Sequence, residues 1–156
     1  MIYNIIGDIH GRTYWKNLVM DNAINIFVGD YFSPYGSFPF DDIKKNFLEI
    51  IEYKKQHPET ILLIGNHDAE YWKFKVYNEA YSRHDWENEK EIHNLFEENK
   101  EYFQAAYSIE NKVLVSHAGV SYVWYDRYKN HNLTHGAIQL NIDHPKQVVS
   151  VYTGEL

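Results

Sequence analysis

No cysteine occurs among the 156 residues of the chain. Disulfides and thiolate metal sites are thereby excluded, and any bound metal must draw its ligands from His, Asp, Glu or Asn. Positive charge is also scarce: 15 Lys and Arg stand against 22 Asp and Glu, a formal net charge of −7. A generic binder of nucleic-acid backbones needs a basic face, so that class is set aside. A phosphate-bearing substrate is not excluded, because bound cations reverse the local sign. Long apolar runs are missing as well. The opening Met1-Ile2-Tyr3-Asn4-Ile5-Ile6 is too short for a membrane span and has no basic flank. Neither a signal peptide nor a membrane partner is expected, and a cytoplasmic location is the default. Pro and Gly number only 4 and 8, and no repeat, low-complexity tract or linker divides the chain. One domain over residues 1–156 is expected.

What is present is an ordinary apolar fraction, 44%, and an unusual number of tyrosines, 14. The aromatics are scattered and read as packing. Residues 2–6 read as a buried strand running into a Gly-Asp turn. Residues 13–23 can form a helix with Trp15, Leu18, Val19 and Ala23 on one face. Residues 24–28 read as a second strand, again ending in Gly-Asp. Residues 32–41 hold two prolines and form a loop. A helix over 41–56 follows, with Ile43, Phe47, Ile50 and Ile51 at i, i+4, i+7 and i+8, and His57-Pro58 stops it. Residues 61–64 read as a third strand. Residues 78–91 are polar and acidic and read as an exposed insertion. A helix over 89–105 turns Ile92, Leu95, Phe96 and Phe103 inward, and residues 112–116 form a strand ending at His117. Strands alternating with helices imply an α/β architecture, in which ligands bind beyond the carboxyl ends of strands.

The chemistry-bearing residues sit at those strand ends. They are Gly7-Asp8-Ile9-His10-Gly11 followed by Arg12, Gly29-Asp30, Gly65-Asn66-His67-Asp68, and Ser116-His117-Ala118-Gly119. Taken singly, each has a plain structural reading. Gly-Asp is usually a turn, Asn66-His67-Asp68 is more often a helix cap, and a lone His117 is more often a core histidine. Taken together, they converge at one rim of an α/β sheet. Aspartate, asparagine and histidine are the ligands of a two-metal site, where cations about 3.5–4 Å apart activate water and clamp phosphate oxygens.

The order and residue types resemble the metallophosphoesterase (calcineurin-like) superfamily, most of all its phosphoprotein phosphatase and diadenosine tetraphosphatase branch. The resemblance spans roughly residues 1–120. It implies a single α/β domain, a β-sandwich flanked by helices. It implies metal-dependent hydrolysis of a phosphate ester by a metal-activated water. Asp8 and His10 would bind the first metal, Asp30 would bridge, and Asn66 and His117 would bind the second. His67 would protonate the leaving oxygen, a role suited to imidazole. Arg12 would meet the phosphate. The cofactors would be two divalent or trivalent ions, manganese first, with iron, zinc or nickel also suited. The partner would be a phosphorylated nucleotide, polyphosphate or protein.

The chain departs from that pattern twice. The family's second motif reads GD-x-x-D-R-G, whereas here Ser33-Pro34 stand where the orienting Asp and the phosphate-gripping Arg belong. A late Gly-His pair, which completes the second metal shell, has no counterpart. Val148-Val149-Ser150-Val151-Tyr152-Thr153 carries Val-Tyr in its place. Either the chain is a family member shortened at the C-terminus, or His131, His135 or His144 stands in. The departures keep a second reading open, a lapsed enzyme that binds metal or phosphate on the same fold. Apart from that alternative, His131, His135 and His144 are expected at the surface, as are His57, His84 and His93. So are Arg83 and Arg127, for which phosphate contact is the sharper alternative.

Overall fold

The computed structural model describes residues 1–72, 83–110, 112–118 and 147–150, the last as backbone alone. Ile2–Ile6 form β1, and Ala23–Phe27 form β2 in parallel beside it, with Ile2 opposite Ala23 and Ile6 opposite Phe27. The helix α1 follows over Phe40–Gln56, then β3 over Ile61–Leu63 and the short helix α2 over Asn66–Tyr71. The helix α3 spans Glu89–Glu98, and Phe103–Gln104 form β4. These strands make a parallel sheet in the order β1-β2-β3-β4. A second sheet contains β5 (Ala106–Ile109), β6 (Val113–Ser116) and β7 (Gln147–Ser150). There β5 is antiparallel and β7 parallel to β6.

Successive side chains of a strand point to opposite faces, and both faces of the first sheet are covered. On one face Ile6, Phe27 and Leu62 join Ile43, Phe47 and Ile50 of α1 and Ile92 and Phe96 of α3 in one core. On the other, Ile26, Val28 and Leu63 pack with Tyr107, Val113 and Val115 of the second sheet. The result is the sheet sandwich flanked by helices that the family resemblance implies. The helix α1 forms as the i, i+4, i+7, i+8 pattern demands. It also places Asp41 and Asp42 in its first turn and Lys54 and Lys55 in its last, each favourable to the helix dipole.

Two expected helices differ. Over 13–23 there is only a 3₁₀ turn, Tyr14–Asn17, before β2 begins at Ala23. The Leu18 and Met20 carbonyls, which a helix would use internally, accept from the side-chain amides of Asn4 and Asn25 at 2.7 and 3.0 Å. Trp15 is buried as expected, but Leu18 turns out to solvent. The expected helix over 89–105 stops at Glu98, where the Asn99 side-chain amide donates to the Leu95 carbonyl at 2.8 Å. Phe103 reaches the core from β4, paired with Leu62, rather than from a helix.

Candidate metal centre

The loops after β1 and β2 lie side by side. Backbone amides of Ile9, His10 and Gly11 donate to the carbonyls of Gly29, Asp30 and Tyr31 at 3.3, 2.6 and 2.9 Å. Within this ladder His10 and Asp30 take φ values of 45° and 53°. Such left-handed backbone costs a non-glycine residue about 1–3 kcal/mol and persists where neighbours over-determine it. The Tyr14 hydroxyl braces the first loop, donating to the Gly7 and Asp8 carbonyls. Burial pushes that hydroxyl up to about 12, so it remains a donor.

Asn66, His67 and Asp68 leave β3 on the first turn of α2. Asp68 is fully buried. Its carboxylate accepts the amides of Asp30, Tyr31 and Gly65 at 2.7, 2.8 and 2.9 Å. Burial and the nearby Asp30 charge push the Asp68 carboxyl up, while those three amides pull it down. The His67 amide donates to Asp30 Oδ1 at 2.9 Å. The two loops are so close that a Cβ on Gly29 would strike the Gly65 backbone, and one on Gly65 would strike the Asp30 carboxylate. Only glycine fits either position.

His117 arrives from the end of β6. Its Nδ1 lies 3.0 Å from the Val28 carbonyl, and its Nε2 lies 2.9 Å from Asn66 Oδ1 and 3.5 Å from Asp30 Oδ2. His10 is held the same way. Its Nδ1 lies 3.1 Å from the Phe32 carbonyl, and its Nε2 lies 3.8 Å from both Asp8 Oδ2 and Asp30 Oδ2. Asp30 Oδ2 therefore stands between two imidazole nitrogens. The ligand atoms of Asp8, His10 and Asp30 all lie within 4.8 Å of one another. A carbonyl on Nδ1 fixes the tautomer that turns the Nε2 lone pair inward, the usual support of a metal-ligating histidine. Burial holds the His10 imidazole below its ordinary value, against the upward pull of the Phe32 carbonyl and Asp30. The neutral ring is the form that binds metal. With oxygen and imidazole donors only, the set suits manganese, iron, zinc or nickel.

His67 stands beside this cluster, its ring centroid 5.8 Å from that of His10. Its Nδ1 lies 3.7 Å from Glu70 Oε1, and its Nε2 lies 2.8 Å from Arg83 Nη2. Here the sequence reading is corrected. Arg83 is half-buried against the Tyr35 ring, and the His84 side chain is only 3% exposed, between Glu70 and Tyr71. Aromatic cover from distant segments hides both residues, so the acidic stretch 78–91 is not wholly an exposed insertion; residues 78–82 lie outside the described residues. Arg12 is exposed, its guanidinium 5.9 Å from the Phe38 ring centroid. Ser33 is buried, with its Oγ 3.2 Å from the Tyr71 hydroxyl.

Two residues of the neighbourhood carried no assigned role in the sequence reading, Asp68 and Glu70. Asp68 had a signal: a carboxylate three residues after Gly65 can cap the amides at the start of a helix. Glu70 had none. Gly119, Arg127, His131, His135, His144 and Val151-Tyr152-Thr153 lie outside the described residues, although Ser150 pairs with Ser116, next to His117.

Among curated proteins no relative matches the chain. A solved structure that resembles it is a protein serine/threonine phosphatase from Saccharomyces cerevisiae with similarity to human phosphatase PP5. The two share 24% sequence identity with a TM-score of 0.53, over 86% of this chain and 44% of that one. The likeness speaks for the fold, and the present chain spans less than half the length of that phosphatase. The sequence pattern of the calcineurin-like phosphoesterases matches residues 3–151, from the second residue of β1 to just past β7. A match over nearly the whole chain, on a sandwich whose strand ends gather aspartate and histidine, makes the protein a member of the calcineurin-like phosphoesterase family.

Proposed function

We propose that the chain is a metal-dependent phosphoesterase that hydrolyses a phosphate ester at the cluster of Asp8, His10, Asp30, Asn66 and His117. One observation carries this reading. Asp30 Oδ2 faces Nε2 of both His10 and His117, and each ring is pinned by a backbone carbonyl on its far nitrogen. This supports Asp30 as a carboxylate that would be shared between two ions. Asp8 and His10 would hold the first ion, Asn66 and His117 the second. Such ions, when bound, lower the pKa of water and neutralise charge on the phosphate oxygens.

The chain's own residues supply the rest. Hydrolysis adds water across the ester P–O bond, and the departing oxygen needs a proton. His67 is the donor: its ring lies beside the cluster but its backbone amide, not its ring, meets Asp30. The substrate is a phosphorylated small molecule or protein; the net charge of −7 argues against polynucleotides.

Purified protein supplied with manganese is assayed on a chromogenic aryl phosphomonoester and on the corresponding diester. Turnover of at least one, abolished by a chelator and restored by manganese, is expected. Protein that retains manganese yet hydrolyses neither is a metal-binding module on the same fold, and the hydrolase reading fails.

A further inference from the structure

The loop that follows Asp30 carries no charge over Tyr31-Phe32-Ser33-Pro34-Tyr35-Gly36-Ser37-Phe38. A phosphate beside Asp8 and Asp30 must find side-chain cationic partners elsewhere. Arg12 lies over Phe38, whereas Arg83 reaches the cluster, its Nη2 2.8 Å from His67 Nε2. Arg83 is also held in place. Its Cζ stands 3.6 Å from the centroid of Tyr35, whose ring meets that of His10 edge-on at 4.9 Å. The next two residues are fastened too. His84 Nδ1 lies 3.3 Å from Glu70 Oε2, and its ring stacks on Tyr71 at 4.4 Å. The Asp85 amide donates to the Tyr71 hydroxyl at 2.9 Å, and the same hydroxyl meets Ser33. The other Glu70 oxygen lies 3.7 Å from His67 Nδ1.

We propose that Arg83 is the phosphate-binding cation of this site and that Glu70 is the positioning carboxylate behind His67. Both come from α2 and the segment after it, in place of a charged loop after Asp30. The inference rests on the hydrolase reading above. A guanidinium fork matches two phosphate oxygens, and an aromatic face beneath it fixes its plane. When substrate enters, Arg83 Nη2 exchanges His67 Nε2 for a phosphate oxygen. That frees Nε2 to take up a proton and present it to the leaving oxygen, while Glu70 faces Nδ1.

The test uses the full chain loaded with manganese. Calorimetric titration with inorganic phosphate should show Arg83→Ala binding about 10–100-fold more weakly than wild type, the worth of a charge-assisted contact. KM for an aryl phosphomonoester should rise similarly, at unchanged metal content. Arg83→Lys keeps the charge but not the fork, so it should lose less; it reads the same contact should the alanine variant unfold. Glu70→Gln should leave KM alone and lower kcat at least tenfold more for an alkyl phosphate than for a p-nitrophenyl ester, whose leaving group needs little protonation. Wild-type phosphate affinity and KM in the Arg83 variants overturn the first assignment. Equal slowing of both esters in Glu70→Gln overturns the second. Metal-loaded wild type that neither binds phosphate nor turns over either ester overturns the hydrolase reading and this one with it.

Discussion

His67 is separable from the cluster it is proposed to serve. Its backbone amide holds Asp30 Oδ1, so a change of side chain leaves that bond in place. His67→Asn is expected to lower kcat by roughly 10²–10⁴, the usual worth of general acid catalysis, with metal content unchanged. Steady-state rates read beside elemental analysis check this; metal lost in step with rate would make His67 a ligand instead. At this scale the sequence was legible where a residue's surroundings are local. Asp8, Asp30 and Asn66 each adjoin a glycine and a strand end, and that pattern is visible in a few letters. Arg83 and His84 were misjudged because their cover, Tyr35, Glu70 and Tyr71, arrives through tertiary contact. No local pattern marks a charged residue that will lie under an aromatic ring.

Among the elements, α2 does the most with the fewest residues, because Asp68 on its first turn ties the loop after β2 to the loop after β3. Asp68→Ala would orphan three buried amides, each costing about 1–3 kcal/mol. A net loss of about 3 kcal/mol in urea unfolding is expected. A loss under about 1 kcal/mol would show that water replaces the carboxylate. The helix α1 was legible over nearly its full length, since its apolar stripe agrees with its charges and its stop. The 13–23 segment was not: periodicity counts apolar residues and is blind to side chains that compete for carbonyls. Asn4 and Asn25, side by side in the sheet, take the Leu18 and Met20 carbonyls and hold the segment out of a helix. In the same way Asn99 ends α3 early and releases Phe103 to β4.

For the molecule as a whole, the two ion positions proposed above would be unequal. One is offered Asp8, His10 and Asp30, whose donor atoms already crowd within 4.8 Å; the other is offered Asp30, the neutral Asn66 oxygen and His117. About one tightly held ion per chain should survive dialysis, with a second entering only at higher concentration. Two equally tight ions in a calorimetric titration would refute the asymmetry. Ion binding also acts on stability, by about 2.7 kcal/mol at a hundredfold excess over Kd, and that gain has a location. His117 extends from the second sheet, while Asp30 and Asn66 extend from the first. An ion held between them is a crosslink across the apolar seam of Ile26, Val28, Leu63 and Val115. Loading should therefore suppress local opening at that seam. Amide hydrogen exchange in β5 and β6 should slow, while α1, packed on the far face, exchanges at an unchanged rate.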